Sequence, residues 1–141
     1  MRLFIDCDVL LDVGLERTPF VEASSILMDY LETNPQMGCI AWHSLSNLYY
    51  VASKLNSSEQ ARAFISDLCN FLYVVPTGNQ EVLNALEQPM TDFEDALQCS
   101  AALACGAQYI ITRNLADYAN APLAAYAPDE FIKRLDLEKD I

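Results

Sequence analysis

Short apolar runs alternate along the chain with longer stretches in which apolar residues recur every three or four positions. Arg2-Leu3-Phe4-Ile5-Asp6 is an apolar run closed by carboxylates and followed by Val9-Leu10-Leu11, the pattern of a buried strand turning into a helix. Residues 38–42, 71–75 and 108–111 give three more strand candidates, and residues 123–126 a short fifth. Between them, Phe20, Ala23, Leu27, Tyr30 and Leu31 mark an amphipathic helix behind Thr18-Pro19. Leu45, Leu48, Tyr49, Ala52 and Leu55 mark another behind Ser44 as its N-cap, and Ala61, Phe64, Ile65 and Leu68 a third opened by Ser57-Ser58-Glu59. Residues 79–88 read as a helix stopped by Pro89. Asp92 or Thr91 then caps a helix through Ala96-Leu97 to Gly106, apolar almost all round and therefore expected at the centre. Pro128-Asp129-Glu130-Phe131 opens a terminal helix, with a charged tail from Lys133 free to fray. Strands separated by helices predict an α/β fold: a mainly parallel sheet of four to five strands covered on both faces, in one domain over residues 1–141.

Composition supports a packed globular chain, at 52% hydrophobic and 20% charged residues. No apolar run approaches the roughly 20 residues of a membrane helix. The first residues carry carboxylates where a signal peptide is apolar, so the expected compartment is the cytoplasm, with no membrane partner. Cys7, Cys39, Cys69, Cys99 and Cys105 are odd in number, sit in apolar stretches and lack Cys-x-x-Cys spacing, which predicts reduced core residues. Eight Lys and Arg against twenty Asp and Glu give a formal charge of −12, which excludes a simple electrostatic nucleic-acid binder and suits a basic protein partner. Chemistry on a polyanion would need cations as intermediaries.

In open parallel sheets the ligand crevice lies beyond the carboxyl ends of the strands. Asp6 and Asp8 follow the first strand, Thr112-Arg113-Asn114 and then Asp117 follow the fourth, and Asp92, Glu94 and Asp95 crowd the first turn of the helix before it. If these converge, a divalent cation such as Mg2+ or Mn2+ is the simplest compensation, and no His or Cys cluster competes for zinc. Plainer readings exist for several of them: Asp92 and Asp95 as helix-cap residues, Asp12 and Glu16 as solvated charges, His43 as a capping or packing residue, Tyr49-Tyr50 as core. Asp6 is harder to explain away, because a carboxylate closing an apolar strand needs a partner.

Four segments in order, Leu3-Phe4-Ile5-Asp6-Cys7-Asp8-Val9-Leu10-Leu11-Asp12, Ser44-Leu45-Ser46-Asn47-Leu48-Tyr49-Tyr50, Asp92-Phe93-Glu94-Asp95-Ala96-Leu97 and Ile110-Ile111-Thr112-Arg113-Asn114-Leu115-Ala116-Asp117-Tyr118, resemble the PIN-domain nucleases. The likeness is greatest to the toxin-type members of bacterial toxin–antitoxin pairs, and it extends to Pro128-Asp129-Glu130-Phe131. It implies a three-layer α/β/α sandwich and an endoribonuclease that hydrolyses RNA phosphodiester bonds. Asp6, Asp95 and Asp117 would carry Mg2+ or Mn2+, directly or through water, with Asn47, Asp92, Thr112 and Asn114 supporting them. Arg113, joined by Arg17, Lys133 and Arg134, would contact phosphates, with scattered solubility charges as the plainer reading of the same four residues. It also implies a homodimer, for which the helix from Phe20 to Leu31 offers an apolar face, and a basic antitoxin partner. Two positions depart from the family's pattern: Asp8 stands where Asn is usual, and Asn47 where an acidic residue is usual. Asp8 would restore the count of carboxylates. Otherwise the fold is kept as an interaction module with a weakened site. A different enzyme reading rests on Asp6-x-Asp8, which resembles haloacid-dehalogenase-type phosphatases with Asp6 as nucleophile, but Lys54 on a helix face is a poor match for the lysine they need.

Overall fold

The computed structural model describes residues 1–139. Five strands, β1 (Leu3–Ile5), β2 (Gly38–Ala41), β3 (Tyr73–Val75), β4 (Tyr109–Ile111) and β5 (Ala124–Tyr126), form one sheet in the order β3-β2-β1-β4-β5, every pair parallel. The helices are α1 (Cys7–Gly14), α2 (Val21–Glu32), α3 (Trp42–Leu55), α4 (Ser58–Cys69), α5 (Asn79–Glu87), α6 (Phe93–Ala104) and α7 (Pro128–Lys139), with a 3-10 turn at Leu115–Tyr118. The expected mainly parallel, three-layer α/β fold is what forms.

β1 is central because it can afford no solvent: Leu3, Phe4 and Ile5 are all completely buried. Alternation along the strands divides the core in two. Leu3, Ile5, Ile40 and Ile111 pack with Val9, Leu10, Leu27, Leu31, Leu48, Leu68 and Phe131, which belong to α1, α2, α3, α4 and α7. Phe4, Cys39, Ala41 and Ile110 face the other side, against Ala101 and Ala102 of α6 and the ring of Tyr118. The small side chains there let α6 lie close on the sheet. Gly38 serves the first side, since a Cβ there would stand 2.6 Å from Leu72 and 2.9 Å from Leu31.

The strand order reverses between β1 and β4. This is the place where successive crossovers leave in opposite directions and open a crevice at the carboxyl edge. Asp6 N–H donates to Ile111 C=O at 3.0 Å and Thr112 N–H to Tyr126 C=O at 3.0 Å, so the ladder carries Asp6 and Thr112 side by side onto that edge.

Several local expectations change. Ser44 does not cap α3: β2 passes directly into the helix, which begins at Trp42 behind an extended Ala41, leaving Ser44 buried in the first turn. Asp92 and Ser57 do cap, accepting from Asp95 N–H at 3.0 Å and Gln60 N–H at 3.1 Å. α6 covers the sheet with one side only, and Phe93 and Leu103 on it stay exposed. Tyr49 and Tyr50 are exposed rather than core, and Cys69 is exposed, because α3 and α4 turn those positions away from the sheet. Leu27 and Leu31 of α2 are fully buried within the chain, while Phe20 and Ile26 of the same segment stay exposed. The tail from Lys133 continues α7 as far as Lys139, and residues 140 and 141 lie outside the described residues.

Candidate active site

Asp6 occupies the N-cap position of α1 with extended backbone, yet its side chain makes no capping hydrogen bond. The carboxylate, only 6% exposed, is held from two sides: Gln98 Nε2 donates to Oδ1 at 2.9 Å and Thr112 Oγ1 donates to Oδ2 at 2.7 Å. Thr112 in turn accepts from Asn114 N–H at 3.0 Å, and Asn114 Nδ2 donates to Asp8 Oδ2 at 2.6 Å. Thr112 and Asn114 therefore each donate to one of the two carboxylates that follow β1.

α6 delivers the next group from the opposite side. Asp95 stands in its first turn and Gln98 three residues later, on the buried face. Gln98 Oε1 accepts from Ser44 Oγ at 3.1 Å, and Nε2 donates to Tyr118 Oη at 3.0 Å as well as to Asp6. Tyr118 Oη donates onward to Asp95 Oδ1 at 3.5 Å. A continuous hydrogen-bonded chain thus joins Asp6 to Asp95 through Gln98 and Tyr118. Sequence reasoning singled out neither of these two. The available signal was an amide on the apolar side of α6, one turn beyond an aspartate.

The electrostatics follow from this convergence. Burial pushes the Asp6 carboxyl above the ordinary carboxylate value, Gln98 and Thr112 oppose the rise, and the charge of Asp8 adds to it. Asp95 is pushed up to about 6, first by burial and then by the charges of Asp92, Asp117, Asp6 and Glu94. The Tyr118 phenol is raised by burial and by the neighbouring Asp6 and Asp95. Asp6, Asp95 and Asp117 therefore share one negative field, with Asp117 on the exposed 3-10 turn. Among the described residues, no Lys or Arg bonds to Asp6, Asp8 or Asp95. Nor are any three His, Cys, Asp or Glu among them grouped closely enough to grip an ion unaided.

Asn47 stands exposed on α3, with Nδ2 3.6 Å from Cys7 Sγ, next to the first residue of α1. The Cys7 thiol is pushed up to about 12 by burial and by the charge of Asp6, so it stays protonated. Asp92 remains an exposed cap residue whose charge reaches Asp95. His43 is half-buried and its pKa is lowered by burial, a neutral packing residue.

Asp12 corrects a reading made from the sequence. It is completely buried, not solvated: Arg113 Nε lies 2.6 Å from Oδ2, Arg113 Nη2 donates to Oδ1 at 3.2 Å, and Arg17 Nη1 is 3.8 Å from Oδ1. Arg113 also stacks 4.1 Å from the centroid of Phe20. Two of the cations expected at phosphate are thus drawn to an internal carboxylate. Arg134 donates to the hydroxyls of Tyr126 and Tyr109 at 3.0 and 3.4 Å, while Lys133 is exposed. Lys54 lies 4.8 Å from the ring of Tyr50, its ammonium engaged there.

A parallel sheet between helical layers, with carboxylates gathered at its switch point and held by neutral donors, defines a class of acidic-crevice α/β proteins. Residues 2–116 match the PIN domain, and the chain belongs to the PIN-domain family. A relative, ribonuclease VapC1 of Aquifex aeolicus (strain VF5), is 26% identical over 138 residues, covering 94% of each protein. Among solved structures, VapBC2 from Rickettsia felis, bound to a DNA fragment from their promoter, superposes with a TM-score of 0.71 at 17% identity, over 90% of this chain and 98% of that one. A toxin–antitoxin complex from Klebsiella pneumoniae gives 0.67 at 21% identity, over 91% and 98%. At these identities the superpositions speak for the fold, and the family match displaces the phosphatase reading of Asp6-x-Asp8.

Proposed function

We propose that the chain is a divalent-metal-dependent endoribonuclease, the toxin component of a toxin–antitoxin pair. The observation that carries this reading is the joining of Asp6 and Asp95 by one hydrogen-bonded chain, in a field shared with Asp117, with neutral donors and, among the described residues, no Lys or Arg bonded to either. Uncompensated carboxylates at a sheet switch point fit a hard cation bound by oxygen, partly through water. Asp6, Asp95 and Asp117 would hold Mg2+ or Mn2+, with Asp8 as a fourth carboxylate and Asn47 offering a neutral amide oxygen at the rim. When bound, such an ion would supply Lewis-acid polarisation of a phosphoryl oxygen for the in-line hydrolysis, in which a water would form the new P–O bond as the ester P–O bond opposite it broke. The chain's own residues orient the site: Thr112 and Gln98 fix the Asp6 carboxylate, Asn114 fixes Asp8, and Asp92 caps the turn that carries Asp95. Arg113, already paired with Asp12, would touch phosphate only at the edge of its fork.

The similar proteins include a ribonuclease and a toxin–antitoxin complex, which supports RNA as substrate and a protein inhibitor as partner. A charge of −12 favours a basic antitoxin. A cavity of about 560 Å³ between α2 and α4 combines Asp29, Glu32 and Asp67 with Met28, Phe64 and Phe71, a lining suited to a basic segment with apolar anchors. A homodimer belongs to the same reading, with Phe20 and Ile26 exposed on the segment from Phe20 to Leu31. No helix among the described residues is long and apolar enough to cross a membrane, and we place the activity in the cytoplasm.

The test is cleavage of single-stranded RNA with Mg2+ or Mn2+. Cleavage should stop in excess chelator and in Asp6→Asn or Asp95→Asn. Undiminished cleavage in chelator overturns the metal dependence. A second reading, an interaction module with a weakened site, is favoured by Asn47 at an ordinarily acidic position. Partner binding without cleavage at saturating Mn2+ would establish it instead.

A further inference from the structure

Gln98 and Tyr118 are 2% and 3% exposed, and their polar atoms are spent on one another and on two carboxylates. Both Nε2 hydrogens of Gln98 have acceptors, Asp6 Oδ1 and Tyr118 Oη, while Oε1 takes the hydroxyl of Ser44. The amide therefore has one orientation, and the phenol, accepting from Gln98, has its own hydrogen directed at Asp95. Packing alone does not call for these groups. A leucine and a phenylalanine would fill the space between α6 and the sheet without an amide and a hydroxyl to satisfy. Nor do they neutralise the carboxylates, as Arg113 does for Asp12. What they do is hold Asp6, at the end of β1, and Asp95, on α6, at a fixed separation and rotation while leaving both charges in place.

We propose that Gln98 and Tyr118 are positioning residues, a neutral bridge that sets the geometry of Asp6 and Asp95 for a divalent ion. The inference rests on the metal-dependent nuclease reading. Partners that orient metal-binding carboxylates characteristically change metal affinity or activity by about 10–100-fold when lost. Ser44, which orients the Gln98 amide, extends the bridge to α3 and ties three elements to one carboxylate pair.

The test uses the full chain and Mn2+ alone as probe, with affinity read by calorimetry and ion environment by electron paramagnetic resonance. Tyr118→Phe removes one oxygen and should weaken Mn2+ binding about tenfold and alter the Mn2+ spectrum. On RNA it should lower kcat about tenfold while KM changes by less than about twofold. Gln98→Leu should do the same or more, and Ser44→Ala less. The double variant Gln98→Leu/Tyr118→Phe should lose no more than the worse single one, because the two act as a single bridge. If Gln98→Leu does not fold, Tyr118→Phe decides alone. A melting shift in Tyr118→Phe with unchanged Mn2+ affinity, spectrum and kcat would reduce the pair to structural packing and overturn the inference, leaving the nuclease reading intact. Absence of Mn2+ binding and cleavage in the wild type overturns that reading, and the bridge's role with it.

Discussion

Asp6 precedes the first residue of α1 and Asp12 lies in its second turn, both all but sealed from solvent, and the fold answers the two in opposite ways. Asp12 receives the guanidinium of Arg113 at 2.6 Å and that of Arg17 at 3.8 Å. Burial raises the affinity of its carboxyl for a proton and Arg113 pulls it back. Asp6 receives an amide and a hydroxyl. The two donors that follow β4 are consecutive residues, Thr112 and Arg113, and alternation sends the neutral one to Asp6 and the cationic one to Asp12. A buried carboxylate given its own cation is finished as a structural element. One given only neutral donors retains a charge for a ligand to meet.

The contrast yields predictions at several scales. The largest effect is expected at Asp6: Asp6→Asn should cut RNA cleavage by about 10²–10³-fold, as expected when an electrostatic contact to the transition state is removed. Its stability in urea should hold or rise by on the order of 1 kcal/mol, since an unpaired buried charge is removed. A cleavage-competent Asp6→Asn would erase the distinction between the two carboxylates. Next, Arg113→Leu should cost about 3 kcal/mol in urea unfolding by leaving Asp12 buried with only the distant Arg17. Adding Asp12→Asn to it should return most of that loss, and an additive double variant would mean that the pair is not what holds them together.

A smaller effect is expected from pH. Asp95 in the folded protein is raised to about 6 against an ordinary value of 3.8, so between those limits the folded state binds more protons than the unfolded one. Stability of the metal-free protein must then fall as pH rises from about 4 to about 6, by on the order of 1 kcal/mol after allowing for the exposure of this group. Denaturant titrations should show that slope flattened in Asp95→Asn and the loss recovered by Mn2+ at pH 7. A wild-type slope of the opposite sign would contradict the crowding of charges around Asp95. The smallest effect is at position 47. In a cycle of Asn47→Glu and Asp8→Asn, Mn2+ affinities should couple by more than about 0.5 kcal/mol if both residues face one ion. No coupling would return Asn47 to the helix surface.

The sequence makes Asp6 conspicuous because a carboxylate closing a wholly apolar strand violates the local pattern, and the parallel sheet because strands and helices alternate with clear periods. Thr112, Asn114 and Asp92 stand out by their positions after a strand and before a helix, and in the structure they bond Asp6, Asp8 and the Asp95 N–H respectively. Asp12 is misread for a physical reason: helical periodicity cannot distinguish a solvated carboxylate from one whose arginine arrives from 101 residues away. Gln98 is illegible for the same reason, since its carboxylate lies 92 residues distant. Ser44 looks like a cap because serine favours that place, but β2 runs into α3 without a loop.

The central placement of β1 bears on the order in which the chain is made. Its neighbour β2 leaves the ribosome soon after it, whereas β4, its other neighbour, is more than a hundred residues behind. At roughly 5–20 residues per second, translation needs on the order of 5–25 s between Asp6 and Tyr118. Throughout that interval one edge of β1 lacks its backbone partners, and Asp6 lacks Gln98, Thr112 and the link to Asp95. The link between the two carboxylates is complete only once Gln98 and Tyr118 have been made, so nascent chains and fragments ending before the 3-10 turn carry Asp6 without the groups that join it to Asp95.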